Sequence, residues 1–218
     1  VPSNYQPTAE KYSSGSKTIG IPGVVAGLLK LQKEHGQLPL KKVMEPAIEY
    51  AENGFQILAG EAYRQQMAKE VFKQYEGTKT HFLDSQGASF QAGDTVVQKT
   101  LASTLKVISL NGKSGFYEGE VAQKMVEDIQ SNGGLLTLED LKNYKALDAE
   151  VFQGIFQGLN VHALNLPSYG AITIQILQIL DHLAIAESEE EWASQIGEVT
   201  KLAYTYRKHQ QDRDSLEH

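Results

Sequence analysis

Apolar residues recur along this chain at helical spacing, and the period falls to two in one place, between Val151 and Leu164. A period near 3.6 gathers apolar side chains on one helix face, and a period of two gathers them on one face of a strand. The pattern therefore predicts a mostly helical fold carrying a small sheet. From Pro22, residues Val24, Val25, Leu28, Leu29 and Leu31 predict a helix with a broad apolar face, closed by Gly36. Leu40, Val43 and Met44 predict a short turn that Pro46 interrupts, with a second helix through Ala47, Ile48 and Ala51 ending at Asn53-Gly54 in a left-handed cap. Residues 57–75 read as an amphipathic helix through Leu58, Ala62, Met67 and Val71. Residues 76–93 read as loop with a short strand at 81–83. Asp94 is placed to cap a stripe of Val97, Leu101, Leu105, Val107 and Ile108 that stops at Asn111-Gly112. Residues 116–132 form the next expected helix, with Val121, Met125, Val126 and Ile129 inward. Thr137 and Asp140 then match a capping box opening a short helix to about Tyr144. Alternation over 151–157 and 159–164 predicts a hairpin turning at Gln157-Gly158, and residues 171–183 and 189–207 return to helix.

The 218 residues, 41% hydrophobic and 22% charged, suffice for one substantial core or two small ones. A net charge of −7, with Lys and Arg interleaved among Asp and Glu, argues against a nucleic-acid partner, because phosphate binding needs clustered cations. The absence of cysteine excludes disulfides, thiolate metal sites and a Cys nucleophile, and leaves the compartment open. No apolar run approaches the roughly 20 residues of a membrane span. The first 17 residues, rich in Ser, Tyr and Pro, are expected to be an extended lead-in. The opening Val1 and the closing Leu216-Glu217-His218 suggest that neither end is natural, with residues 214–218 read as the start of a vector-encoded tag.

The six histidines are dispersed, none paired at the helical spacing a zinc site uses, so no metal site is expected. Glu189-Glu190-Glu191 reads as the acidic first turn of a helix. Leu166-Pro167-Ser168-Tyr169-Gly170 approaches a nucleophile elbow but lacks its first glycine, so no residue is assigned a catalytic role. Gly20-Ile21-Pro22-Gly23 and Gly27 lie at a helix start as phosphate loops do, yet no Lys-Ser or Lys-Thr follows. Both glycine segments lead from extended chain into an apolar helix, and their free N–H groups can face a ligand or another loop. The structural role is favoured.

Taken in order, these segments resemble the gamma-glutamyltranspeptidase family. Gly20-Ile21-Pro22-Gly23-Val24-Val25-Ala26-Gly27 is similar to the family's G-x-P-G-x-x-A-G segment, and Pro39-Leu40, Val43, Pro46-Ala47, Ala51, Gly54-Phe55, Gly93-Asp94 and Leu101 extend it. Phe116-Tyr117, Gly119, Asn132-Gly133-Gly134, Thr137, Asp140-Leu141 and Tyr144 continue it, and residues 166–171 resemble the P-P-S-S-G-G loop, followed by Gln175-Ile176-Leu177. The resemblance covers roughly residues 16–213.

The resemblance implies an α+β, predominantly helical fragment of the αββα fold of N-terminal-nucleophile hydrolases, with residues 18–213 as the helical lobe of a large subunit. The precursor in this family cleaves itself, and the new N-terminal Thr of the small subunit attacks a gamma-glutamyl carbonyl with its own amine as base. The acyl group passes to water or an amino acid, with no metal or organic cofactor. The Thr-Thr-His segment and the glycine pair of the small subunit are not in this sequence. The substrate-carboxylate Arg belongs to a segment ahead of Val1, and Arg64, Arg207 and Arg213 have no claim to its role. The chain alone is therefore expected to be inactive. Its implied partners are the small-subunit region of the same precursor and gamma-glutamyl small molecules, with a homodimer of the isolated chain as a further possibility; the implied location is periplasmic or secreted. Ser168, Tyr169 and Gly170 are the expected substrate-adjacent residues. Tyr169 stands where the family has a second Ser, Ala171 where it has Gly, and Leu166 where it has Pro. The altered loop leaves one alternative, a non-catalytic helical binding or scaffold module derived from the family. An unrelated helical repeat is disfavoured because the chain has no internal period.

Overall fold

A computed structural model describes residues 2, 3, 5, 14–165 and 168–205, which divide into two compact units, 1–146 and 147–218. Most of the expected lead-in and the whole of 214–218 lie outside the described residues.

After a 3-10 turn at Ser16–Thr18, unit 1 contains α1 (Val24–His35), α2 (Leu40–Asn53), β1 (Phe55–Gln56), α3 (Ala59–Phe72), α4 (Glu76–Phe82) and β2 (Thr95–Val96). It continues through α5 (Lys99–Asn111), α6 (Ser114–Tyr117), α7 (Gly119–Ser131) and α8 (Leu138–Asn143). Its core gathers Ala26 from α1, Tyr117 from α6, Ala122, Val126 and Ile129 from α7, then Leu136 and Leu141. The Tyr117 side chain, 1% exposed, fixes the start of α1: its hydroxyl donates to the Pro22 carbonyl at 2.6 Å and accepts the Ala26 N–H at 3.0 Å. Burial pushes this phenol above its ordinary pKa, so it keeps the proton it donates to Pro22. The Tyr144 ring stacks on Tyr117 with centroids 6.0 Å apart.

The capping box forms as the sequence predicts. Thr137 Oγ1 accepts the Asp140 N–H at 3.1 Å, and Asp140 Oδ2 accepts the Thr137 N–H at 3.0 Å. Asp140 also accepts the Ser3 N–H at 2.8 Å, tying the chain's first residues to α8.

Six expectations for unit 1 change. α1 forms, but Val24, Leu28 and Leu31 of its expected inner face are exposed and the buried residue is Ala26, because Tyr117 draws that side of the helix inward. α2 runs unbroken through Pro46: Met44, Ile48 and Ala51 form a single stripe facing α5, so packing holds both halves while the proline removes only one intrahelical bond. Ile57 lies outside α3, buried by a bridge in which its N–H donates to the Asp94 carbonyl at 2.9 Å; Leu58 and Met67 are exposed and Gln65 is buried instead. Residues 76–82 are helical rather than loop and strand, held by a Phe72–Phe82 stack at 5.0 Å and by Thr78 Oγ1 donating to the Phe72 carbonyl at 2.8 Å. The helix expected over 116–132 breaks at Glu118 (φ −136°, ψ 172°), which separates α6 from α7 and turns Tyr117 into the core. Asp94, read as the cap of α5, instead accepts the Gln91 N–H at 2.7 Å within its own turn.

In unit 2, β3 (Val151–Phe156) and β4 (Leu159–Leu164) pair antiparallel in the register Val151↔Leu164 to Phe156↔Leu159. The turn falls at Gln157 (φ 49°) and Gly158 (φ 76°), the positive pair a tight hairpin requires. α9 (Gly170–Asp181) packs on one face of the hairpin, where Ile174 meets Gly154, and α10 (Glu189–Thr205) packs on α9.

Two outcomes test this account of unit 1. Tyr117→Phe leaves the Ala26 N–H and the Pro22 carbonyl without their partner in a buried setting, and should cost about 1–3 kcal/mol in denaturant unfolding. Burial raises the Asp140 carboxyl, but hydrogen bonds from Thr137 and Ser3 outweigh it and hold the group below its ordinary range. A lowered folded pKa gives stability that is fully present above the unfolded value, near 4, and lost as pH falls through the folded one. The melting temperature of Asp140→Asn should therefore lie below the parent's at pH 5–8 and converge on it at lower pH.

Candidate functional site

The loop between β4 and α9 carries Ser168 and Tyr169, and Gly170 is the first residue of α9. Asn165 anchors the first half of the loop: its N–H donates to the Glu150 carbonyl at 3.0 Å and its Nδ2 to Glu150 Oε2 at 3.0 Å. Leu166 and Pro167 lie outside the described residues. Ser168 closes the turn by donating its N–H to the Asn165 carbonyl at 3.0 Å, and its side chain is exposed. Tyr169 takes the N-cap position of α9 (φ −91°, ψ 13°) without capping it through its side chain. The Tyr169 carbonyl accepts both the N–H and the hydroxyl of Thr173, at 2.9 and 3.0 Å. Its ring is 49% exposed and lies 6.4 Å from that of Tyr204 on α10.

Gly170 is buried where the first turn of α9 crosses β4. A methyl group there would overlap the Leu164 carbonyl oxygen and sit 2.8 Å from Ala163 Cβ, so the crossing needs glycine for space. This contact puts Ser168 and Tyr169 at the rim of the unit, beside the N-terminus of a twelve-residue helix. Backbone N–H groups in a helix's first turn have no intrahelical acceptor and carry partial positive charge, so this rim can receive a carboxylate or a developing oxyanion.

The other glycine segment is structural. The Ala26 N–H is taken by Tyr117 and the Gly27 N–H by the Gly23 carbonyl, while the Tyr144 hydroxyl fills the space a Gly23 side chain would need. Sequence reading missed Tyr117. The available signal was the aromatic pair Phe116-Tyr117 immediately ahead of a helix-breaking Glu118-Gly119, in an otherwise polar stretch. Arg64 is engaged with Glu61 at 2.7 Å, and Arg207 and Arg213 lie outside the described residues. Among the described residues, no group of three or more His, Asp or Glu is arranged to hold a metal ion, and no helix is long and apolar enough to cross a membrane.

A predominantly helical α+β chain whose hairpin feeds a glycine-pinned helix start has the architecture of an N-terminal-nucleophile hydrolase fragment. It superposes on the crystal structure of Helicobacter pylori gamma-glutamyltranspeptidase with a TM-score of 0.85 and 32% identity, over 90% of this chain and 57% of that one. The gamma-glutamyltranspeptidase family model matches residues 2–217, and the chain belongs to that family. It is 34% identical to the glutathione hydrolase proenzyme of Escherichia coli over 92% of this chain and 35% of the relative. It is 31% identical to the capsule biosynthesis protein CapD proenzyme of Bacillus anthracis, over 94% of this chain and 38% of that protein. The chain thus spans just over a third of the length of these curated relatives.

Gly170→Ala should destabilise the protein by about 1–3 kcal/mol, as overpacking against a backbone carbonyl does. Thermal unfolding at or above the parent temperature would contradict the crossing described here.

Proposed function

We propose that this chain is the large-subunit portion of an enzyme that transfers gamma-glutamyl groups from glutathione-like donors to water or amino acids. The observation that carries this reading is the family match over residues 2–217, joined by 34% identity to a protein named as a glutathione hydrolase proenzyme. In this reading residues 18–213 form the helical lobe, and the nucleophilic Thr lies further along the same precursor. Self-cleavage frees its amine to act as base, and attack on the gamma-glutamyl carbonyl gives an acyl-enzyme resolved by water or an amine. The chain by itself lacks that nucleophile and is inactive.

Ser168, Tyr169 and Gly170 border the substrate cleft in this proposal, with the first turn of α9 facing the charged end of the donor. Tyr169 sets a bulky ring with a polar tip where a second Ser is usual, and narrows the cleft there. The rest of the precursor is the partner. Exposed Val24, Leu28 and Leu31 on α1, and exposed Val151, Ile155 and Leu164 on one hairpin face, support a covering partner, since apolar residues grouped on one face rarely stay in water. A homodimer of the isolated chain would use the same residues. A periplasmic or secreted location completes the reading.

The deciding experiment compares the 218-residue chain with the complete precursor on a chromogenic gamma-glutamyl anilide. The chain alone should show no turnover, and the precursor should cleave itself and turn over. Turnover by the chain alone would refute its inactivity. A precursor that neither cleaves itself nor turns over would favour the non-catalytic module. In the active precursor, Tyr169→Ser should raise kcat/KM for gamma-glutamyl donors about tenfold, equivalent to about 1.4 kcal/mol in the barrier; an unchanged value would remove this loop from the cleft.

A further inference from the structure

Unit 1 holds a solvent-open cavity of about 540 Å³, walled by α1 on one side and by the chain following α5 and α8 on the other. Its charge is lopsided. Among the described residues that line it, Lys30, Lys33, Lys113 and Lys145 face one carboxylate, Glu34, in a protein whose net charge is −7. Glu34 is engaged by Lys30 at 3.0 Å. Lys33, Lys113 and Lys145 have no carboxylate partner among the described residues. Lys113 donates to the Tyr144 carbonyl at 2.6 Å and lies 5.7 Å from the Tyr117 ring centroid, so its ammonium is held at the wall with further N–H groups to offer. Leu29, Leu40 and Ala146 add apolar lining to the same cavity.

Helix dipoles account for only part of this arrangement. Lys33 lies in the last turn of α1, where a cation offsets the negative end of the helix. Lys145 lies beyond the end of α8, and Lys113 donates to the Tyr144 carbonyl, not to the carbonyls that end α5. Like charges around one concavity repel each other, and walls of low dielectric focus their field on the space between them. An anion seated there relieves the repulsion. A ligand with two or more anionic groups on a carbon skeleton uses both the cations and the apolar lining, which chloride cannot do.

We propose that this cavity is a binding site for a small multivalent organic anion, a polycarboxylate or a phosphate ester. The cavity is lined by residues of unit 1 alone, and the proposal stands whether or not the chain serves gamma-glutamyl transfer.

The test is calorimetric titration and thermal shift of the protein with citrate and with glycerol 2-phosphate, at ionic strength matched with sodium chloride so that general screening is constant. Binding of either should fall at least tenfold in Lys33→Gln/Lys145→Gln and be unchanged in Lys69→Gln/Lys99→Gln, which removes the same charge from α3 and the start of α5. Preference for citrate would identify a carboxylate ligand and preference for glycerol 2-phosphate a phosphate ester. No binding of either at matched ionic strength would overturn the proposal. So would equal loss in the two double variants, which would mean that the protein's overall field, not the cavity, attracts the anion. Unfolding of each variant, followed by circular dichroism, separates lost binding from lost structure.

Discussion

The hydroxyl of Tyr117 is the contact on which unit 1 is organised. It satisfies the Ala26 N–H and the Pro22 carbonyl together, at a helix start that has no side-chain cap. Because the ring is buried against Tyr144, and Phe116 meets it edge-on at 5.0 Å, the bond joins the beginning of the described helical order to elements about ninety residues later. The break at Glu118 follows from the same constraint. A continuous helix through this stretch would give Tyr117 the backbone of a helix interior, not the end of a four-residue turn. The exposure of Val24, Leu28 and Leu31 follows as well, since a helix held by Ala26 cannot also bury the opposite side.

The sequence was most informative where a local rule was enough. The Thr137–Asp140 capping box and the Gln157-Gly158 turn are written in a few consecutive residues, and both form. It misled where distant packing outweighed local preference. Pro46 looked like a helix stop, but Met44, Ile48 and Ala51 share one face against α5, and that burial holds the helix together across the missing N–H. Residues 76–93, with Gly77, Gly87 and Gly93 among polar residues, looked like loop, yet the Phe72–Phe82 stack closes a helix over 76–82. The amphipathic reading of α3 put Met67 inside and had no reason to bury Gln65, because periodicity reports that a face exists and not which neighbour covers it.

The candidate site was reached by a different route. Spacing brought residues 166–170 near a nucleophile elbow and stopped at its missing first glycine; resemblance alone made Ser168, Tyr169 and Gly170 candidates. The structure adds a physical reason for one of the three: Gly170 is glycine because β4 leaves no space for a side chain. The cavity beside α1 was not legible at all. Lys30 and Lys33 lie in one helix while Lys113 and Lys145 come from two distant connections, and in the sequence each looks like an ordinary surface lysine among acids.

The crossing at Gly170 also affects how disturbance travels in unit 2. With the first turn of α9 seated on the Leu164 carbonyl, strand and helix cannot slide independently, and the chain between them is only a few residues long. The placement of Ser168 and Tyr169 is thereby inherited from the register of β3 against β4. That register is set at the far end of the hairpin, by two turn residues that touch no part of the loop. A one-residue slip there would reverse which faces Ala163 and Leu164 present, and with them the bed on which α9 begins. The geometry of the rim is in this sense decided at the opposite end of its own strand.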